Sequence, residues 1–410
     1  MKKLFIILLS PLLFLLYGAS LDNYSLSIGP CFLFPVEQSS HQTARSENYI
    51  KEVKGSKNNL HKEFNIEEGK TLDINLNSGG SVKILGWDKD VVSIDVESSR
   101  DDLDDYDIDF TVEDEGIEVE SNAKYERSNS GGLHFDFRVP SSFNLKIETA
   151  GGGIKIKSVN GDISGKSMGG PLELSDLKGK LDLQTMGGPI KLYDSEVDGK
   201  VHTMGGPVEI TNVKGDVKGT TNGGPVIMKN VSLKNRNSTK DVVTISTMGG
   251  PINVEEAPAG ADVKTMGGPI TIKSAMKFIK ARTNGGDIEI ENTNGAIDAS
   301  TKAGSINAEM VGNPNEGNRD VTLSSNAGDI TLIVPDGLSM DINITLAYTE
   351  NNDGDYNIYS DFPINKEAPP GWDNTHGTPR KFIYGKGSTG NGKYKIKIST
   401  INGNVYLKKG

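Results

Sequence analysis

Five histidines, one cysteine and a knot of aspartates are the side chains able to ligate metal or carry acid–base chemistry, and their spacing argues against most of it. His41, His61, His134, His202 and His376 are scattered along the 410 residues, and no two fall at the short separation of a zinc site. Cys31 is the single cysteine, which removes an internal disulfide and any thiolate cluster. Asp101, Asp102, Asp104, Asp105, Asp107 and Asp109 crowd one segment, the kind of oxygen cluster that holds a hard cation. The segment lacks the glycine and closing glutamate of an EF-hand, so a solvated acidic loop is expected, as it is for Asn351–Asp355. No phosphate-cradling Gly-x-x-x-x-Gly-Lys-Ser/Thr occurs. No catalytic residue, metal or cofactor is therefore expected. With 44 basic against 55 acidic residues the net charge is −11, and nucleic acid is not an expected partner, because phosphate contacts need clustered Lys and Arg.

Two columns of side chains remain. One is methionine: Met168, Met186, Met204, Met248 and Met266, each before a Gly-Gly pair, with Asn222 and Asn284 taking the same place elsewhere. Rows of adaptable methionines serve binding surfaces, and acceptance of Asn argues for exposure, so these five are the candidate binding residues. The other is threonine: Thr149, Thr185, Thr203, Thr221, Thr247, Thr265, Thr283 and Thr301. A threonine row suggests ice binding. Each one, however, shares parity with apolar residues two positions earlier, such as Leu183 and Val263, so it is expected to point inward with its hydroxyl on turn backbone.

Both columns exist because the chain repeats. The second glycine of the corner falls at Gly152, Gly170, Gly188, Gly206, Gly224, Gly250, Gly268, Gly286, Gly304 and Gly328, mostly 18 residues apart. A fixed period of this size marks a solenoid. Around each corner apolar residues alternate at period 2, as in Leu181-x-Leu183 and Ile190-x-Leu192, the mark of strands with one buried face. Each coil is thus two short strands joined by a Gly-Gly corner, expected to use positive φ, and by a looser second corner. Pro171, Pro189, Pro207, Pro225, Pro251 and Pro269 follow the glycines; lacking an N–H, they should face solvent at a strand start. A hexapeptide register counted from Ile190 would place Glu196 and His202 in the core, which excludes the left-handed hexapeptide helix. One coil has too few apolar side chains to offset the ordering of its backbone, so coils must stack. The fold class expected is all-β: a single-chain β-solenoid of about 18-residue two-strand coils with irregular caps.

Read in order, residues 1–20 form a signal peptide: Lys2 and Lys3, the apolar run Leu4–Leu16, then Gly18-Ala19-Ser20. Residues 21–59 read as a disordered linker, 60–148 as an N-terminal β cap, 149–334 as the regular solenoid and 335–410 as a C-terminal cap with a final coil. Inserts interrupt the array at 229–240, which is basic, and at 310–320, rich in Asn, Gly and acid. Inserts in repeat proteins map to surface loops.

Val139-Pro140-Ser141-Ser142-Phe143-Asn144-Leu145-Lys146-Ile147-Glu148-Thr149, leading into Gly151-Gly152-Gly153-Ile154-Lys155-Ile156, and the ending Ser399-Thr400-Ile401-Asn402-Gly403-Asn404-Val405-Tyr406-Leu407 resemble the bacterial putative-adhesin family, extracytoplasmic β-solenoid domains of unknown function. The resemblance spans roughly residues 70–410. It implies a β-helical fold and surface binding, and carries no catalytic residues. The regular Met-Gly-Gly-Pro corners depart from the looser family pattern of Thr-x-x-Gly-polar-Ile. The expected function is a non-enzymatic, exported, adhesin-like surface or scaffold. Its partner would be a glycan or a cell-surface protein, and no span would remain once the signal is removed. The alternative is a carbohydrate-active β-helix enzyme, which would need acids and Lys or Arg converging across coils. The outward residues Lys155, Glu173, Lys191 and Glu209 instead suggest a charge-balanced ladder.

Overall fold

The computed structural model describes residues 49–54, 57–99, 102–125, 132–232, 243–352, 354–375 and 377–410. The expected signal peptide, Cys31, most of the expected linker, Asp101, His41, His376 and residues 233–240 of the basic insert lie outside these.

The coils form as the alternation dictates. Strands β1 (Tyr49–Lys54), β2 (Asn59–Asn65), β3 (Thr71–Leu76), β4 (Ser81–Trp87), β5 (Val91–Ser98), β6 (Tyr106–Glu113), β7 (Gly116–Ala123), β8 (Leu133–Pro140), β9 (Asn144–Thr149) and β10 (Ile154–Lys157) open the chain. β11 (Asn160–Ser167), β12 (Leu172–Ser175), β13 (Lys178–Thr185) and β14 (Ile190–Thr203) continue it. Strands before the Gly-Gly corner stack into one parallel face, β3·β9·β11·β13 and onward. Strands after it stack into a second face, β8·β4·β10·β12·β14. β14 runs straight through the looser corner and so belongs to both faces. Between the faces Leu181, Leu183, Ile190, Leu192, Val197 and Val201 are all buried, and every coil repeats this layer. The chain is the expected β-solenoid.

The two corners work differently from the sequence-based expectation. The second glycines of the Met-Gly-Gly-Pro corners do not use positive φ. They are needed because the coils approach so closely there: a Cβ on Gly188 would lie 2.2 Å from the Gly170 oxygen, and one on Gly206 would lie 2.2 Å from the Gly188 oxygen. Left-handed backbone sits at the looser corner instead, where Ser158, Asp176, Asp194, Asn212 and Asn230 have φ of 59°, 53°, 51°, 54° and 49°. Asn and Asp tolerate this region best among residues with a Cβ. Here they also join one coil to the next: Ser158 Oγ donates to Asp176 Oδ2 at 2.7 Å, and Asn212 Nδ2 donates to Asp194 Oδ1 at 2.9 Å.

Strands begin earlier than Leu60, the start read from the sequence. β1 lies inside the segment read as linker and pairs antiparallel with β2; its sequence Tyr-Ile-Lys-Glu-Val-Lys carries too little alternation to announce a strand. Stacking also begins before residue 149. β3 and β4 pair in parallel with β9 and β10, so Ser78-Gly79-Gly80 is the first Gly-Gly corner, with the Gly80 oxygen against Gly152. At the far end Tyr394–Ile401 and Val405–Lys409 stack on Val321–Ser325 and Ile330–Val334. Antiparallel pairs close the array, β6 on β7 at one end and Met340–Thr349 with Arg380–Ser388 at the other. β6 exposes Asp107, Asp109 and Glu113, charges that discourage further strand pairing at an edge.

Candidate functional site

The corner that carries the methionines is built from the threonine upward. Thr203 is buried, and its Oγ1 donates to the Gly188 oxygen of the preceding coil at 2.9 Å and accepts the Gly206 N–H at 3.2 Å. Thr221, Thr265 and Thr283 repeat the pattern. Ser167 does the same where no threonine signals it, and Ser325 donates likewise to the Gly304 oxygen but accepts the Ala327 N–H. The column is internal, which disposes of an ice-binding face. The prolines lie at the surface to varying degrees, and their carbonyls accept the next ladder bonds, Ile190 N–H donating to the Pro207 oxygen at 2.9 Å.

With threonine turned inward, the following residue must turn outward. Met168, Met186, Met204, Met248 and Met266 are 53%, 40%, 47%, 51% and 51% exposed, high values for side chains of this apolarity. Beside them Gly169 meets nothing within 4 Å of an added Cβ, and Gly187 meets only the Gly169 oxygen at 3.6 Å. The edge is therefore a row of thioethers over bare backbone. The structure brings all five candidate residues onto this one edge, in two groups separated by Asn222.

The flat faces carry charge in pairs. Lys155 Nζ donates to Glu173 Oε1 at 2.9 Å, and Tyr193 donates to the same oxygen at 3.0 Å. The Lys155 bond, aided by Tyr193, holds the Glu173 carboxyl below its ordinary value against partial burial, and Lys155 is raised in turn. On the other face Lys180 pairs with Asp162 at 3.4 Å and Lys200 with Asp182 at 3.2 Å. These pairs line two open troughs of about 930 and 800 Å³. A general acid or base works best with a pKa near the working pH, and ion pairing moves Glu173 away from it.

One constellation was not legible in the sequence. Ser81 Oγ lies 2.6 Å from His134 Nδ1, because the parallel pairing of β4 and β8 sets residues 53 apart side by side. A nucleophile–base pair needs a third group to orient the base. Asp136, the nearest carboxylate on the strand, is taken by Lys83 at 2.8 Å, and no carboxylate bond to His134 forms among the described residues. The acidic segment is likewise engaged locally. Asp102 caps the short 3-10 turn Leu103–Asp105 and pairs with Lys57 at 3.5 Å, and Asp107 pairs with Lys124 at 3.2 Å.

The repeat, the corners and the closed ends define a β-solenoid of the Toastrack type. The Toastrack DUF4097 profile matches residues 40–408, and the chain belongs to that family. No curated protein compared with it matches. Among solved structures, it is similar to a putative cell adhesion protein from Clostridium sporogenes at 12% identity, covering 85% of this chain and 99% of the other with a TM-score of 0.17. A putative adhesin from Bacteroides fragilis matches at 11% identity, covering 87% and 100%, TM-score 0.18. A putative lipid binding protein from Parabacteroides distasonis matches at 11% identity, covering 69% and 92%, TM-score 0.22. At such TM-scores these names bear only on those proteins. No helix among the described residues is long and apolar enough to cross a membrane.

Proposed function

We propose that this chain is a non-enzymatic, exported binding scaffold that meets a cell-surface glycan or protein along its methionine edge. The observation that carries the reading is the exposure of Met168, Met186, Met204, Met248 and Met266 at one corner position while the Thr or Ser before each is buried. About half of each thioether side chain faces solvent, so the row is available for contact. The ion-paired faces support a scaffold over a catalytic cleft.

The test replaces Met186, Met204, Met248 and Met266 with Asn, the residue already tolerated at 222 and 284. Exposed substitutions stay within about 0.5 kcal/mol each, so the melting temperature should hold while binding on a glycan array or to a cell surface is lost. A collapse in melting temperature would make the row a packing column. Retained binding would move the contact surface elsewhere, and turnover of a polysaccharide by the intact variant would favour the enzyme. Export is tested separately: mass spectrometry of the natively expressed protein should find an N-terminus near Leu21, and an intact Met1 on a cytoplasmic pool would refute it.

A further inference from the structure

We propose that the corner formed by Met186, Met204 and His202 binds a soft monovalent metal ion, Cu(I) or Ag(I). The argument starts from donor chemistry. Thioether sulfur is a soft, uncharged ligand that selects Cu(I) over Zn(II), Ca(II) or Mg(II). No three His, Cys, Asp or Glu residues converge as a metal site among the described residues, so hard and borderline ions have no cage here.

Position follows from the ladder. Thr185 pairs with Thr203, and Gln184 with His202, across adjacent parallel strands. Met186 and Met204 follow those threonines and are tied to the coils before them, Met186 N–H donating to the Ser167 oxygen at 3.1 Å and Met204 N–H to the Thr185 oxygen at 3.3 Å. Their backbones therefore ride one strand spacing apart, about 4.8 Å. Three rotatable bonds let each thioether adapt to a shared ion. Met168 occupies the same place one coil earlier and offers a third sulfur.

His202 supplies the second donor type. It has the outward parity of Met204, two residues on, and sits diagonally across from Met186. Its Nδ1 lies 2.9 Å from Thr220 Oγ1, and that hydroxyl donates its own proton to the Val201 oxygen at 3.4 Å. Thr220 thus engages one ring nitrogen, as the outer partners that orient metal-ligating histidines do, and leaves Nε2 to meet an ion. The second methionine group has no such help: the residues two before Met248 and Met266 are Ser246 and Lys264. The site is thus confined to one stretch of the edge.

The proposal gives the methionine edge a particular ligand, and it can fail without that reading failing. Titrate the full chain carrying Cys31→Ser, which removes the competing thiol, with Ag(I) by calorimetry and with Cu(I) against a chromophoric chelator; this background serves as wild type below. Wild type should bind one ion at the 186–204 corner, with Zn(II) giving no heat. Met186→Leu/Met204→Leu keeps the edge apolar and removes both sulfurs, so it should abolish the ion. Met248→Leu/Met266→Leu should leave the ion in place. Thr220→Val, which removes the side-chain partner of His202 Nδ1, should weaken binding about 10–100-fold, as loss of an outer partner does. Absence of Ag(I) binding by wild type, or binding unchanged in the Met186→Leu/Met204→Leu chain with unaltered circular dichroism, would overturn the proposal.

Discussion

The hydroxyl of Thr203 bonds to the carbonyl oxygen of Gly188, one coil away, across 2.9 Å. The same oxygen atom of Thr203 takes the Gly206 N–H of its own corner at 3.2 Å. One buried side chain therefore satisfies two backbone groups that the turn has removed from the strand ladder. Thr203→Val keeps the shape and removes both bonds, leaving a buried N–H and a buried C=O without partners. The expected cost is about 1–3 kcal/mol, read as a lowered urea midpoint. Thr203→Ser should recover most of it, since Ser167 plays the same part in its own coil. A Val variant as stable as wild type would mean that water or a shifted backbone replaces the hydroxyl.

Adjacent glycines of one corner should respond in opposite ways. A Cβ at Gly188 would stand 2.2 Å from the Gly170 oxygen and 2.4 Å from its carbonyl carbon, all rigid backbone. Relieving it requires prising two coils apart, so Gly188→Ala should cost about 3 kcal/mol or more, at the upper end of overpacking effects. A Cβ at Gly187 meets only the Gly169 oxygen at 3.6 Å, and Gly187→Ala should stay within about 0.5 kcal/mol. Thermal melts of the two single variants decide the matter, and equal effects would refute close approach as the reason for the second glycine.

The Lys155–Glu173 pair sets a small acid-side dependence. Glu173 is held below its ordinary 4.5, first by its hydrogen bond to Lys155. A carboxyl depressed in the folded state contributes stability that is fully present above its unfolded value and is lost as pH falls through the folded one. The loss should therefore appear below about pH 4.5 and be small, because the side chain is 41% exposed and screened by solvent. Glu173→Gln should flatten this part of the stability–pH curve and leave neutral pH nearly unchanged. An unaltered acid limb in the variant would show that the pair makes no net contribution.

Much of this was legible in the sequence because it repeats. Buried Leu183 and Leu192, inward Thr203 and outward Met204 each follow from parity within one coil, and a period of 18 multiplies the evidence. What repeats only once was hidden. The Ser78-Gly79-Gly80 corner has the right residues, but 72 positions (152 − 80) separate it from Gly152, and β5 to β8 fill the gap with mixed parallel and antiparallel pairing that carries no period. Ser81 beside His134, and His202 locked by Thr220, depend on which strands become neighbours, and pairing partners are not written in local alternation. The positive φ at Asp194 and Asn212 has a signal, since Asp and Asn favour that region, but the Gly-Gly pairs carry the stronger local signal for it and point to the other corner.

The composition of the 310–320 insert suggests an ordinary surface loop; the structure ties it down through one arginine. Arg319 is wholly buried, without a carboxylate bonded to it, and donates to the backbone oxygens of Glu316, Val311 and Asn313 and to the Asn294 side chain. Burial pulls its pKa below the ordinary value, opposed by Tyr394 and Glu316. Tyr394 from the closing coil adds a bond to the Gly317 oxygen at 3.1 Å, so the insert bridges the regular array and its C-terminal end. Arg319→Met fits the volume but leaves four acceptors bare, at about 1–3 kcal/mol each if they stayed buried. The loop can avoid most of that cost by opening to water, so the damage should be local rather than global. Hydrogen exchange should speed up across residues 311–318 and limited proteolysis should cut there, while the amides of Thr203 and its neighbours keep wild-type protection. A uniform loss of protection along the whole solenoid would instead make Arg319 part of the common core, and unchanged exchange in the loop would show that the arginine does not hold it.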